Sequence, residues 1–144
     1  MRYMGLDIGD KTIGVAVSDP LFISANGVTT IERIGARKDA DKVIALAKEH
    51  EVGLIVAGLP LMLSGEDSPQ TAKVRDFVRL LENKMRSSGL SGVRVVFQDE
   101  RFTTKMAESV LIEGGMRRDK RKEIIDRQAA VIILQSYLDA NRKL

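Results

Sequence analysis

Three acidic positions in this chain fall where ordinary structure has little use for a charge: Asp7, the pair Asp99 and Glu100, and Asp126. Asp7 interrupts an otherwise apolar strand, Tyr3–Ile8. A carboxylate there costs several kcal/mol unless it is paired, or its pKa rises. A bound divalent cation compensates such a charge well; an aspartate capping the Gly9 turn in water is the plainer reading. Asp99 and Glu100 close a later strand, at the carboxyl edge where open α/β sheets place their sites. Alternation sets Val93, Val95, Phe97 and Asp99 on one face and Arg94, Val96, Gln98 and Glu100 on the other. Asp126 opens the last helix and shares a stripe with Ala129, Ala130, Ile133 and Tyr137, so it faces the sheet. An acid there could also serve the helix dipole, although Glu123 sits a turn earlier and fills that role better. If the fold brings these acids together, they form an oxygen-rich cage suited to Mg²⁺ or Mn²⁺ rather than zinc. Such a cage can hold two ions about 4 Å apart and hydrolyse a phosphodiester.

The elements that position these acids are legible in order. Tyr3–Ile8 and Gly14–Ser18 form a hairpin around Gly9, Asp10 and Lys11, and a third strand spans residues 27–34. A helix follows over residues 39–51, with Ala40, Val43, Ile44 and Ala47 inward. The continuous apolar run Leu54–Leu59 suits a strand buried on both faces of a parallel sheet. Ser68 and Pro69 begin a helix reaching Ser87, as N-cap and first helical residue. A strand over 93–98, a helix from Thr103 or Thr104 to Glu113, a basic loop over 116–122 and a helix over 122–141 complete the chain. The first three strands are expected as an antiparallel meander, and the last two as parallel additions through helical crossovers.

Composition narrows the function. The 144 residues suit one α/β domain, 1–144, and 44% hydrophobic with 30% charged residues describes a globular chain. The absence of cysteine excludes disulfides, thiolate zinc sites and cysteine nucleophiles. No run approaches the ~20 apolar residues of a membrane span, and the opening residues show no signal-peptide pattern. A cytoplasmic location is expected. Residues 1–100 carry 13 basic and 14 acidic side chains, whereas residues 101–144 carry 10 and 6. That basic final third, with Arg117, Arg118, Lys120, Arg121 and Lys122 in one short stretch, favours a polyanionic partner such as nucleic acid.

The segments GLDIGDKTIGVAVSD (residues 5–19), GLP (58–60), DERFTT (99–104) and DRQAA (126–130) together resemble the YqgF family over nearly the whole chain. Its members are described as nucleases of pre-16S rRNA and as Holliday junction resolvases. The resemblance implies an RNase H-like α/β fold, a five-stranded mixed sheet (three antiparallel strands, then two parallel) flanked by helices. It implies a catalytic and metal-binding triad of Asp7, Glu100 and Asp126 with Mg²⁺ or Mn²⁺, Asp99 being the alternative to Glu100. Lys11, Thr12, Arg101, Thr103 and Thr104 would line the site, and the basic stretch 117–122 would bind nucleic acid. One departure stands out. Many RNase H-like nucleases carry an acid on the fourth strand where this chain has Gly58, so Glu100 or Asp99 has to reach across from a more distant strand. The expected activity is metal-dependent endonucleolytic processing of the 5′ end of precursor 16S rRNA. The alternatives are a resolvase acting on branched DNA and a non-catalytic RNA-binding module, as monomer or homodimer. An actin-like or sugar-kinase ATPase shares the D-x-G turn but needs two such domains, and 144 residues supply one.

Overall fold

A computed structural model describes residues 1–100 and 118–141, and for residues 118–127 the backbone alone. Its elements are β1 (Arg2–Ile8), β2 (Thr12–Ser18), β3 (Ala25–Glu32), α1 (Ala36–Glu49), β4 (Val52–Leu59), α2 (Pro69–Ser87), β5 (Arg94–Asp99) and α3 (Arg118–Ala140). The strands form one sheet in the order β3-β2-β1-β4-β5. β1 pairs antiparallel with β2 and β2 with β3, while β4 joins parallel to β1 and β5 parallel to β4. The expected meander with two parallel additions is the observed topology.

Strand alternation divides the core in two. Met4, Leu6 and Ile8 of β1, Ile13 and Val15 of β2, and Ile55 and Ala57 of β4 pack beneath α1 and α2. Ala16, Leu54 and Val56 point the other way and meet Ala130, Ile133, Leu134 and Leu138 of α3. Small residues let α3 lie directly on the sheet. A Cβ on Gly5 would stand 2.8 Å from the Ala130 carbonyl oxygen and 2.7 Å from the Leu134 Cβ.

Local signals fix the helix starts. Ser68 caps α2: its hydroxyl accepts the Thr71 N–H (3.2 Å), while the Thr71 hydroxyl accepts the Ser68 N–H (2.9 Å). The Thr71 hydroxyl also donates to the Pro60 carbonyl at 2.6 Å, tying α2 to the end of β4. α1 begins three residues before the expected Asp39, because Asp39 lies inside its first turn and reaches back to the Ile34 N–H (3.0 Å). It stops at Glu49, and Glu51 takes a left-handed φ of 54° into β4. β3 starts at Ala25, two residues before the expected Gly27, because its ladder with β2 runs on to the pair Ser18↔Ala25.

The basic stretch expected as a loop over 116–122 is helical from Arg118. Arginine and lysine are good helix formers, and the run lacks glycine or proline to stop the helix growing backward. The helix expected from Thr103 or Thr104 to Glu113 lies outside the described residues. No described helix is long and apolar enough to cross a membrane.

Candidate active site

β1 carries Asp7 on the α3 side of the sheet, between buried Leu6 and Ile8, which point to the opposite side. Its cross-strand partner on β2 is Gly14, so no side chain competes for the space on that flank. On the other flank, the register Leu6↔Ala57 makes Gly58 the next residue of β4 level with Asp7. Beyond β4, the pairs Gly58↔Gln98 and Leu59↔Asp99 end the sheet, and the Glu100 N–H donates to the Leu59 carbonyl at 3.2 Å. That bond turns Glu100 inward. Its side chain is buried on the α3 side, whereas Asp99 is exposed.

The Glu100 carboxyl reaches across β4 to hydrogen-bond Asp7. It does so over Gly58: a Cβ there would stand 2.5 Å from the Glu100 Oε2 and 2.9 Å from its Cδ, and would also strike the Ile133 Cδ1. The glycine at the fourth strand is therefore the gap through which an acid from the fifth strand arrives. Burial, then the Asp7 charge and the hydrogen bond with it, then the Asp99 charge, push the Glu100 carboxyl from 4.5 up to about 8. Two carboxyls in contact hold one proton between them more readily than two charges.

α3 crosses antiparallel to β1. Tyr137 meets Tyr3, with ring centroids 6.1 Å apart, while Leu134 and Ala130 lie over Gly5. The helical turn preceding Ala130 holds Asp126 and comes next along β1 in the direction of Asp7. Asp7 and Glu100 are thus brought together, with the backbone of Asp126 on the helix that covers them; the Asp126 side chain lies outside the described residues. Among the described residues no group of three or more His, Cys, Asp or Glu stands ready to hold a metal ion. The donor set still fits one: two contacting carboxyl groups, one raised by its burial and by the other's charge, lose that repulsion to a hard divalent cation.

The remaining expected residues divide by place. Lys11 is exposed at the β1–β2 turn and Thr12 is half-buried at the start of β2. Arg118, Lys120, Arg121 and Lys122 stand in the first turns of α3, ahead of the residues that pack on the sheet. Arg101, Thr103, Thr104 and Arg117 lie outside the described residues. Sequence reasoning passed over Arg33 and Asp39. The Arg33 Nε donates to the Asp39 Oδ2 at 3.0 Å, and its Nη1 donates to the Gly9 carbonyl at 2.9 Å, two residues beyond Asp7. The one signal was a basic residue at the end of a β-branched strand.

A five-stranded mixed sheet in the order β3-β2-β1-β4-β5, with helices on both faces, is the RNase H-like architecture. Among solved structures, the fold is similar to that of the Fowlpox virus resolvase in complex with Holliday junction DNA: TM-score 0.58, 14% identity, covering 99% of this chain and 100% of that one. It is also similar to RuvC of T. thermophilus in complex with a Holliday junction substrate: TM-score 0.57, 14% identity, covering 97% and 94%. The family model described as "RuvX: Holliday junction resolvase" matches residues 1–140, and the chain belongs to this family, the YqgF family of the sequence resemblance. A relative from Clostridioides difficile (strain 630), named "Putative pre-16S rRNA nuclease", is 49% identical over 138 residues, covering 96% of this chain and 94% of its own. A relative of the same name from Thermoanaerobacter pseudethanolicus is 46% identical over 143 residues, 99% of each chain.

Proposed function

We propose that this protein is a divalent-metal-dependent endonuclease of structured nucleic acid, and that its substrate is the 5′ end of precursor 16S rRNA. The observation that carries the reading is the Asp7–Glu100 contact across Gly58. An acid raised to about 8 by burial and by a second carboxyl is an expensive arrangement that pure stability would not retain, and such groups cluster at functional sites. Asp7, Glu100 and Asp126 are the residues we assign to hold Mg²⁺ or Mn²⁺. When bound, the ions supply an activated water and stabilisation of the leaving oxygen. Glu100 gives up its proton as the site charges, Asp7 remains the central carboxylate, and Gly58 keeps the space between them open. Lys11 and Thr12 at the turn, and the cations of early α3, contact backbone phosphates, which positions the strand without reading its sequence.

The names of relatives 49% and 46% identical to this chain support RNA as substrate. A second reading, resolution of branched DNA, is favoured by the description of the matching family. One assay separates them: cleavage of a precursor 16S rRNA transcript and of a synthetic four-way DNA junction, each with Mg²⁺, Mn²⁺ or EDTA. Metal-dependent cuts in the RNA, lost in Asp7→Asn, are expected. Cuts confined to the junction would move the assignment to the second reading, and RNA binding without cleavage of either would leave a non-catalytic binding module.

A further inference from the structure

Residue 33 holds the turn that follows Asp7 by two independent bonds. Its backbone N–H donates to the Lys11 carbonyl at 2.9 Å, and its guanidinium Nη1 donates to the Gly9 carbonyl, also at 2.9 Å. The turn is closed from within by the Gly9 N–H to the Thr12 carbonyl (2.9 Å). The guanidinium is itself fixed. Its Nε donates to the Asp39 Oδ2 at 3.0 Å, the other oxygen of Asp39 accepts the Ile34 N–H at 3.0 Å, and the Phe77 ring lies 5.0 Å from the guanidinium carbon. Asp39 is wholly buried and Arg33 mostly so, with side-chain exposures of 0% and 19%. The turn's other charged tie, Lys73 to Asp10 at 3.3 Å, is exposed at both ends, and such pairs contribute little. Gln70 adds a long bond to the Ile8 carbonyl at 3.4 Å.

We propose that Arg33 is a positioning residue for the candidate nuclease site: by bridging Asp39 on α1 to the Gly9 carbonyl, it sets the β1–β2 turn that carries Lys11 and anchors the strand end bearing Asp7. This rests on the endonuclease reading for its catalytic consequence, but the structural link stands on the contacts alone. The bridge needs two N–H groups in a fixed fork, one for Asp39 and one for Gly9. Lysine supplies a single nitrogen that can keep the charge pair but cannot reproduce the fork. Misplacement of a catalytic group by about 1 Å can cost on the order of a hundredfold in rate.

The test is Arg33→Lys beside Val78→Ala. Val78 is buried in the core on α2 and is not among the hydrogen-bonding or stacking partners of Arg33, so its variant is expected to lower the melting temperature without removing a contact of the bridge. Two readouts are taken: amide hydrogen exchange, and Mg²⁺-dependent cleavage of the precursor 16S rRNA transcript. In Arg33→Lys the Gly9 amide is expected to exchange at least about tenfold faster while the amides of residues 13–17 stay protected. Turnover should fall at least about tenfold with KM changed less than about threefold, and Val78→Ala should keep wild-type turnover below its melting temperature. Wild-type exchange at Gly9 in Arg33→Lys, or a loss of turnover no greater than in Val78→Ala, would overturn the proposal. If the wild-type protein cleaves nothing, the nuclease reading fails separately, and exchange at Gly9 alone decides whether Arg33 sets the turn.

Discussion

Removing the charge at Glu100 should stabilise the metal-free protein above neutral pH. Burial and Asp7 raise the Glu100 carboxyl from 4.5 to about 8, so between these values the folded state holds a proton that the unfolded chain has released. Stability therefore falls as pH rises through this window and is level above it. At about 1.4 kcal/mol per pH unit the ceiling on the loss is about 5 kcal/mol, and relaxation of two contacting carboxyls lowers the expected value to about 2–5 kcal/mol. For a domain of this size that corresponds to about 5–15 °C in melting temperature. Glu100→Gln keeps the shape and cannot ionise, so it should melt near the wild type at pH 4.5 and well above it at pH 8.5. The assay is thermal unfolding followed by circular dichroism in EDTA across this range. Asp39 does not confuse it. Burial alone would raise that carboxyl, but the Ile34 N–H and the Arg33 guanidinium outweigh burial and hold it below 3.8, so its stabilisation is lost only at lower pH. Parallel pH profiles for wild type and variant, or a less stable Glu100→Gln at pH 8.5, would mean that Glu100 is not raised by burial and Asp7.

Gly58→Ala should abolish cleavage at a stability cost of only about 1–3 kcal/mol, because the new methyl meets the flexible ends of Glu100 and Ile133 and displaces the carboxyl; cleavage and melting measured together check this. Asp99→Asn should reduce turnover less than Glu100→Gln, since Asp99 is exposed and Glu100 touches Asp7; kinetics showing the reverse order would mean the wrong acid is assigned. Replacing Arg117, Arg118 and Lys120 with alanine should flatten the dependence of log binding constant on log salt by about two units, while helicity by circular dichroism persists because alanine favours the helix.

What could be read in the sequence followed local rules. The strand period separated Glu100 from Asp99, the spacing of Ala130 and Ile133 marked the face of the last helix that packs on the sheet, and the Ser68-Pro69 pair marked the start of α2. Each depends on neighbours a few residues apart. The features that escaped depend on register between distant segments. Gly58 looked like a missing acid because only the packed sheet shows that its lack of a side chain admits Glu100. Arg33 drew no notice because its partners are distant in sequence: the Gly9 carbonyl lies 24 residues before it and Phe77 lies on α2. The basic run looked like a loop because it follows Gly114-Gly115, although arginine and lysine are good helix formers and the helix begins at Arg118.

Whether Asp7 and Glu100 hold a divalent cation is decided by calorimetric titration of the metal-free protein with Mn²⁺ at pH 7. Repeating the titration in two buffers of different ionisation enthalpy counts the protons released. With Glu100 raised to about 8, binding should release up to about one proton per protein. Glu100→Gln should bind at least about tenfold more weakly and release none. Equal Mn²⁺ affinity and equal proton release in wild type and Glu100→Gln would mean that Glu100 does not hold the ion.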